Sequence, residues 1–117
     1  MITGIGLDII ELDRIDRLVR RSPRFYKRIL TPNEQTYYEQ AIPSRQIEYL
    51  AARFAAKEAF AKARGTGIGG DCGFQDIEVI KNDLGAPSLL FQQVPVSGFI
   101  SITHTKDYAA AQVVLLS

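Results

Sequence analysis

The chain has 117 residues, 46% hydrophobic and 23% charged, with a formal net charge of +1. At this length it is most simply one domain, spanning 1–117, that buries roughly 65% of its unfolded surface. A single cysteine, Cys72, excludes an internal disulfide and fits a reducing compartment. The N-terminal MITGIGLDII lacks the basic region of a signal peptide, and no segment approaches the ~20 apolar residues of a membrane span. A cytoplasmic location is therefore expected.

Residues 2–10 alternate as a strand, with Ile5, Leu7 and Ile9 on one face and Gly4, Gly6 and Asp8 on the other. The two glycines fit close approach by a ligand or another backbone beside the carboxylate, or a bulge or tight packing. Residues 12–20 carry a helical stripe of Leu12, Ile15, Leu18 and Val19, ended or bent at Pro23. Thr31, Pro32 and Glu34 open a second helix with a capping box, and Pro43 closes it. A third helix is predicted from an N-cap at Ser44 to Arg64, with Gly65 just past its end.

GTGIGGDCGFQ (65–75) reads as a glycine-rich loop, after which the period changes to strands. IEVI (77–80) and SLLF (88–91) flank one hairpin; FISITHT (99–105) and YAAAQVVLL (108–116) form another. The last strand is apolar on both faces and needs cover on both. Helices can supply one cover and another subunit the second. Ala56, Phe60 and Ala63 make a further small-residue face suited to a neighbouring subunit.

The stripe of the long helix, Ile47, Leu50, Ala51, Phe54 and Ala55, continues onto Glu58 and then Ala61 and Lys62. A carboxylate on a buried stripe is costly unless it is paired or bound to a metal. Lys62, one turn on, offers a purely structural pair. Asp8 on its glycine-bearing strand, with Arg53, Lys57, Lys62 and Arg64 nearby in sequence, offers the other solution: a phosphate ester held through Mg²⁺. GTGIGG is neither a Walker A loop nor a dinucleotide fingerprint. Its amides suit a phosphate cradle or a plain helix cap equally. His104, the sole histidine, is either a hydrogen-bonded core residue or a ligand contact at a strand end. Alone it builds no multi-histidine zinc site. Cys72, far in sequence from that histidine, is a weak nucleophile and reads as structural.

Residues 14–28 hold seven of the 14 lysines and arginines against one acid, Asp16. Such a run is a solvated face or a surface for a polyanion, either nucleic acid or an acidic protein.

Three segments together, GIGLDIIEL (4–12), FAAKEAFAKARGTGIG (54–69) and SITHTKDYAAAQVV (101–114), resemble the signature segments of the holo-acyl-carrier-protein synthases. These are the small bacterial type of 4′-phosphopantetheinyl transferase. The resemblance spans essentially the whole chain and implies an α+β fold: an antiparallel sheet with a long helix packed on it, working as a homotrimer with sites between subunits. It implies transfer of phosphopantetheine from coenzyme A to a serine of apo-acyl carrier protein, releasing adenosine 3′,5′-bisphosphate. Asp8 and Glu58 would ligate Mg²⁺, and Glu58 and Lys62 would be catalytic. The general base stays open, with Glu58 one candidate. Arg53, Lys57, Lys62, Gly65, Thr66, Gly67 and His104 would surround coenzyme A. Arg14, Arg21, Arg24 and Arg28 would dock the acidic carrier protein. Where many relatives have Gly-Lys-Pro, this chain has Gly85-Ala86-Pro87, so any phosphate contact by that lysine is missing. The reading from another class is a non-catalytic basic module for nucleic acid. It accounts for 14–28 but not for the carboxylate pair, so no nucleic-acid partner is expected.

Overall fold

Period-two alternation becomes strand β1 (Ile2–Glu11) in a computed structural model that describes residues 1–117. β1 runs straight into helix α1 (Leu12–Arg21), which buries Ile15 and leaves its arginines in water. A one-turn helix, α2 (Tyr26–Ile29), follows Pro23 and is too short to leave a periodic signal. Helix α3 (Pro32–Gln40) has the predicted capping box: the Glu34 amide donates to Thr31 Oγ1 and the Thr31 amide donates to the Glu34 carboxylate. Helix α4 (Pro43–Arg64) begins with Pro43 in its first turn and Ile42 as its N-cap, rather than capping at Ser44. Proline has no N–H to satisfy there, so it starts the helix instead of only ending the previous one. Gly65, at φ 84°, terminates it in the left-handed region.

The remaining strands build two antiparallel three-stranded sheets. In the second sheet β3 (Pro87–Phe91) lies between β2 (Ile77–Lys81) and the short β4 (Val94–Pro95). In the central sheet β6 (Tyr108–Leu116) lies between β1 and β5 (Gly98–His104). Its register puts Asp8 opposite Ala111, which faces Ile102 on β5. The long helix packs on this sheet, as the resemblance implies. No helix is long and apolar enough to cross a membrane.

Small residues let α4 lie close on the sheet. Ala109, Ala111 and Val113 are buried beneath it, as are Ala55, Ala59 and Ala63 of the helix. A Cβ on Gly4 or Gly6 would overlap the carbonyls of Ala63 or Ala59. The glycines therefore admit the helix backbone rather than clearing room for a ligand. Gly6→Ala is expected to cost about 3 kcal/mol or more, because neither backbone can yield without moving the layer. A urea-denaturation midpoint matching the parent would overturn this packing account. The Ala56–Phe60–Ala63 face is likewise filled from within the chain, with Phe60 against Phe91 at 5.3 Å between ring centroids. It is not free for a neighbouring subunit. Cys72 is fully buried.

The apolar face left open is the other side of the central sheet. Ile5, Leu7 and Ile9 are each over 60% exposed, and Phe99 on β5 is 69% exposed. Phe99 and Ile5 flank Val114, so the patch runs across all three strands. No helix covers it, and contiguous apolar surface of this kind marks an interface.

Candidate active site

Asp8 sits on the helix-facing side of β1, its side chain only 15% exposed. Lys62 donates to Asp8 Oδ1 at 3.0 Å and to the Leu7 carbonyl at 3.1 Å. The lysine one turn beyond Glu58 thus binds the strand, where two acceptors converge, instead of its helical neighbour. Glu58 makes no hydrogen bond or ion pair of its own. Burial first, then the Asp8 charge, raise its pKa above the usual carboxylate range, against the opposing charges of Lys62 and Arg14. Two carboxylates are within electrostatic reach of one another, and one has no partner.

That pair fits Mg²⁺ on chemical grounds. Both donors are hard oxygens, and Glu58 has lone pairs that nothing in the chain uses. No third histidine, cysteine or acid joins them. Mg²⁺ commonly takes one or two carboxylates and completes its shell with water and substrate phosphate. Lys62, half-exposed, already puts one positive charge on Asp8.

A second feature lies at the opposite, β5 edge of the central sheet. A cavity of about 280 Å³ is lined by Arg45, Arg53, Lys81 and His104, with Glu48 and Tyr49 among them. Arg53 stacks on the Tyr49 ring, its guanidinium carbon 4.0 Å from the centroid, and its buried Nε has no partner. Burial raises the Tyr49 hydroxyl to about 12, keeping it neutral beneath the guanidinium. Glu48 lies 3.6 Å from Arg45 and 3.8 Å from His104 Nε2. His104 is thus a half-exposed wall residue, not a core one. Arginines gathered on one wall suit phosphate groups. None of Asp8, Glu58 and Lys62 lines this cavity.

Two expected coenzyme contacts are corrected. Lys57 is fully buried and donates to Glu34 Oε1 at 2.6 Å and to the Ile29 carbonyl at 2.7 Å. Burial lowers its pKa although Glu34 opposes the shift. Its ammonium cannot reach a bound coenzyme. The GTG amides are not a free cradle either: Gly65, Thr66 and Gly67 donate to the carbonyls of Lys62 and Ala61. They cap the negative end of the helix dipole, which itself disfavours an anion.

The sequence profile of the 4′-phosphopantetheinyl transferase superfamily matches residues 4–113. The chain belongs to that superfamily. It is 52% identical to the holo-[acyl-carrier-protein] synthase of Geobacillus kaustophilus, over 98% of this chain and 89% of that one. It is 54% identical to the corresponding Shouchella clausii enzyme, over 98% of each. The crystal structure of a Bacillus anthracis holo-(acyl-carrier-protein) synthase in complex with CoA (3′,5′-ADP) superposes with a TM-score of 0.86. That match has 48% identity and covers 98% of this chain and 96% of that one.

Within this transferase fold, Arg45 and Lys81 are cavity residues that motif reading passes over. Arg45 lies eight residues before Arg53, on the same helical face, so periodicity alone could have found it. Lys81 pairs across the hairpin with Pro87, which places a cation beside the Gly85-Ala86-Pro87 turn. The basic run divides by pairing. Arg17 and Arg20 are held by Asp13 and Asp16 at 3.2 and 3.3 Å. Arg14, Arg21, Arg24 and Arg28 are exposed and have no ion-pair partner, and Arg14 and Arg21 share one shallow depression with Leu18.

Proposed function

We propose that this transferase moves the 4′-phosphopantetheine group of coenzyme A onto a serine of apo-acyl carrier protein, releasing adenosine 3′,5′-bisphosphate. The observation that carries the reading is the unpartnered, partly buried Glu58 beside Asp8, in a chain of this superfamily. Asp8 and Glu58 would hold Mg²⁺, which when bound supplies charge neutralisation to the pyrophosphate. Lys62 would leave Asp8 for the departing phosphate oxygen, as its exposed stem allows. The serine hydroxyl attacks the phosphorus bearing pantetheine, the P–O bond to adenosine bisphosphate breaks, and the hydroxyl proton passes to a general base, for which Glu58 is one candidate. Arg53 and His104, with Arg45 and Lys81, would bind the phosphates of the adenosine half. Gly65 and Gly67, which face open space, and Thr66 would border the coenzyme without offering it their amides.

The active unit is a homotrimer. Carboxylates at one sheet edge and the cation cavity at the other favour a site completed by a neighbouring copy, and the open face of Ile5, Leu7, Ile9 and Phe99 supplies the contact. The enzyme acts in the cytoplasm, where apo-acyl carrier protein and coenzyme A meet.

The decisive assay is the mass of apo-acyl carrier protein after incubation with coenzyme A and Mg²⁺. The protein should gain one phosphopantetheine arm, and no gain refutes the reading. The unpaired arginines of α1 and its following turn dock the carrier protein. Arg14→Glu with Arg21→Glu is expected to raise the KM for carrier protein about tenfold or more, most at low salt, and to leave the KM for coenzyme A nearly unchanged. Equal effects on both substrates would refute that docking role.

A further inference from the structure

We infer that Lys57 is a positioning residue: its buried ion pair with Glu34 sets the rotation of α4 that aims Glu58 at Asp8. The inference rests on the transferase reading above. Lys57 is 0% exposed and Glu34 2%. The Lys57 ammonium bonds the Ile29 carbonyl at the end of α2 and the Glu34 carboxylate at the start of α3. Glu34 in turn accepts from the Thr31 amide and, through Oε2, from the Val79 amide on β2, both at 2.9 Å. One side chain of α4 is thereby fastened to three other elements by directional, charge-assisted bonds.

The other directional bonds from α4 are those of the half-exposed Lys62 to Asp8 and the Leu7 carbonyl, and Phe60 packs on Phe91. Where α4 meets β1, the opposing groups are Ala59 and Ala63 against Gly4 and Gly6, and this small-residue contact adds little to resist rotation. Lys57 and Glu58 are consecutive, so they project about 100° apart around the same axis. A turn of the helix by ~20° would carry the Glu58 carboxyl about 2 Å at the outer radius of a helix. Displacements near 1 Å are enough to cost about 100-fold in rate. A buried charge pair is seldom needed for stability, since apolar residues of similar volume often do as well. Its placement next to Glu58 is accounted for by orientation.

The test compares Lys57→Met, Glu34→Gln and the double variant with the parent, as full chains. Steady-state transfer is followed by carrier-protein mass, and Mn²⁺ binding in the presence of coenzyme A by electron paramagnetic resonance. In the folded double variant, kcat should fall about 10- to 100-fold and Mn²⁺ affinity by a similar factor, with the KM for coenzyme A unchanged. A rise in that KM alone would show Lys57 reaching the coenzyme and overturn the inference. Parental values throughout would reduce the pair to packing and overturn it equally. Should the double variant not fold, Glu34→Asp keeps both charges but shortens one arm, and is read by the same criteria. If the parent itself transfers no arm, the transferase reading fails. If the parent transfers and the folded variants match it, only the positioning role fails.

Discussion

Glu58→Gln is expected to abolish phosphopantetheine transfer while leaving the metal-free fold at least as stable as the parent. The loss follows from removing one of the two oxygen donors proposed to hold Mg²⁺. Charge neutralisation by such an ion is worth several kcal/mol in the transition state, so the rate should fall roughly 1,000-fold or more. Near-parental turnover in saturating Mg²⁺ would remove Glu58 from the metal site. The stability half follows from the raised pKa of Glu58, caused by burial and then by Asp8. The folded state holds this proton more tightly than the unfolded state does. Between the unfolded and folded pKa values the folded chain therefore binds more protons, and stability falls as pH rises through that window. Above it, the full cost of ionising Glu58 in place is present. Glutamine has no such cost, so at neutral pH the variant should melt at or above the parent's temperature, and its pH dependence across the window should flatten. A clearly lower melting temperature would mean that Glu58 is a structural partner after all.

Leu7→Asp is expected to split the assembly and to remove activity with it. Leu7 is 62% exposed and points away from α4, so the single chain keeps its fold and its circular dichroism. In an assembled trimer the new carboxylate would be buried without a partner on the sheet face, at a cost of several kcal/mol. Sedimentation should show monomers at a concentration where the parent forms the proposed trimer, and transfer should drop about 100-fold or more if each site needs two copies. A fully active monomer would overturn the shared site. An intact trimer would move the interface away from the Ile5–Leu7–Ile9 face.

Those two residues also mark how far sequence reasoning reaches. Alternation placed Ile5, Leu7 and Ile9 on one face and Asp8 on the other, and the structure keeps that division. It did not reveal which face a helix would cover. The glycines settled that, since only their face accepts the backbone of α4. The stripe of α4 correctly turned Glu58 inward, but adjacency misled for Lys57. Successive helical residues diverge by about 100°, so a lysine beside the proposed metal-binding carboxylate can point into a different layer altogether. Its partner, Glu34, was visible as half of a capping box; its second role as a counter-ion 23 residues away was not. For GTG, a cap and a cradle share the same sequence, and the hydrogen bonds to Ala61 and Lys62 decide for the cap.

The longer strands and helices, the capping box, the inward Glu58 and the family signatures were already present in the order of residues. Local periodicity, cap chemistry and motif spacing act within a few positions of the chain, and a linear text preserves them. The pairing of Lys62 with Asp8, the burial of Lys57 on Glu34 and the gathering of Arg45, Arg53, Lys81 and His104 around one cavity are different in kind. Each joins groups from separate elements, and each depends on the angle at which α4 lies across its sheet. That angle is set by side-chain volumes summed over the whole interface, down to two missing Cβ atoms on β1, and no short stretch of the chain encodes it.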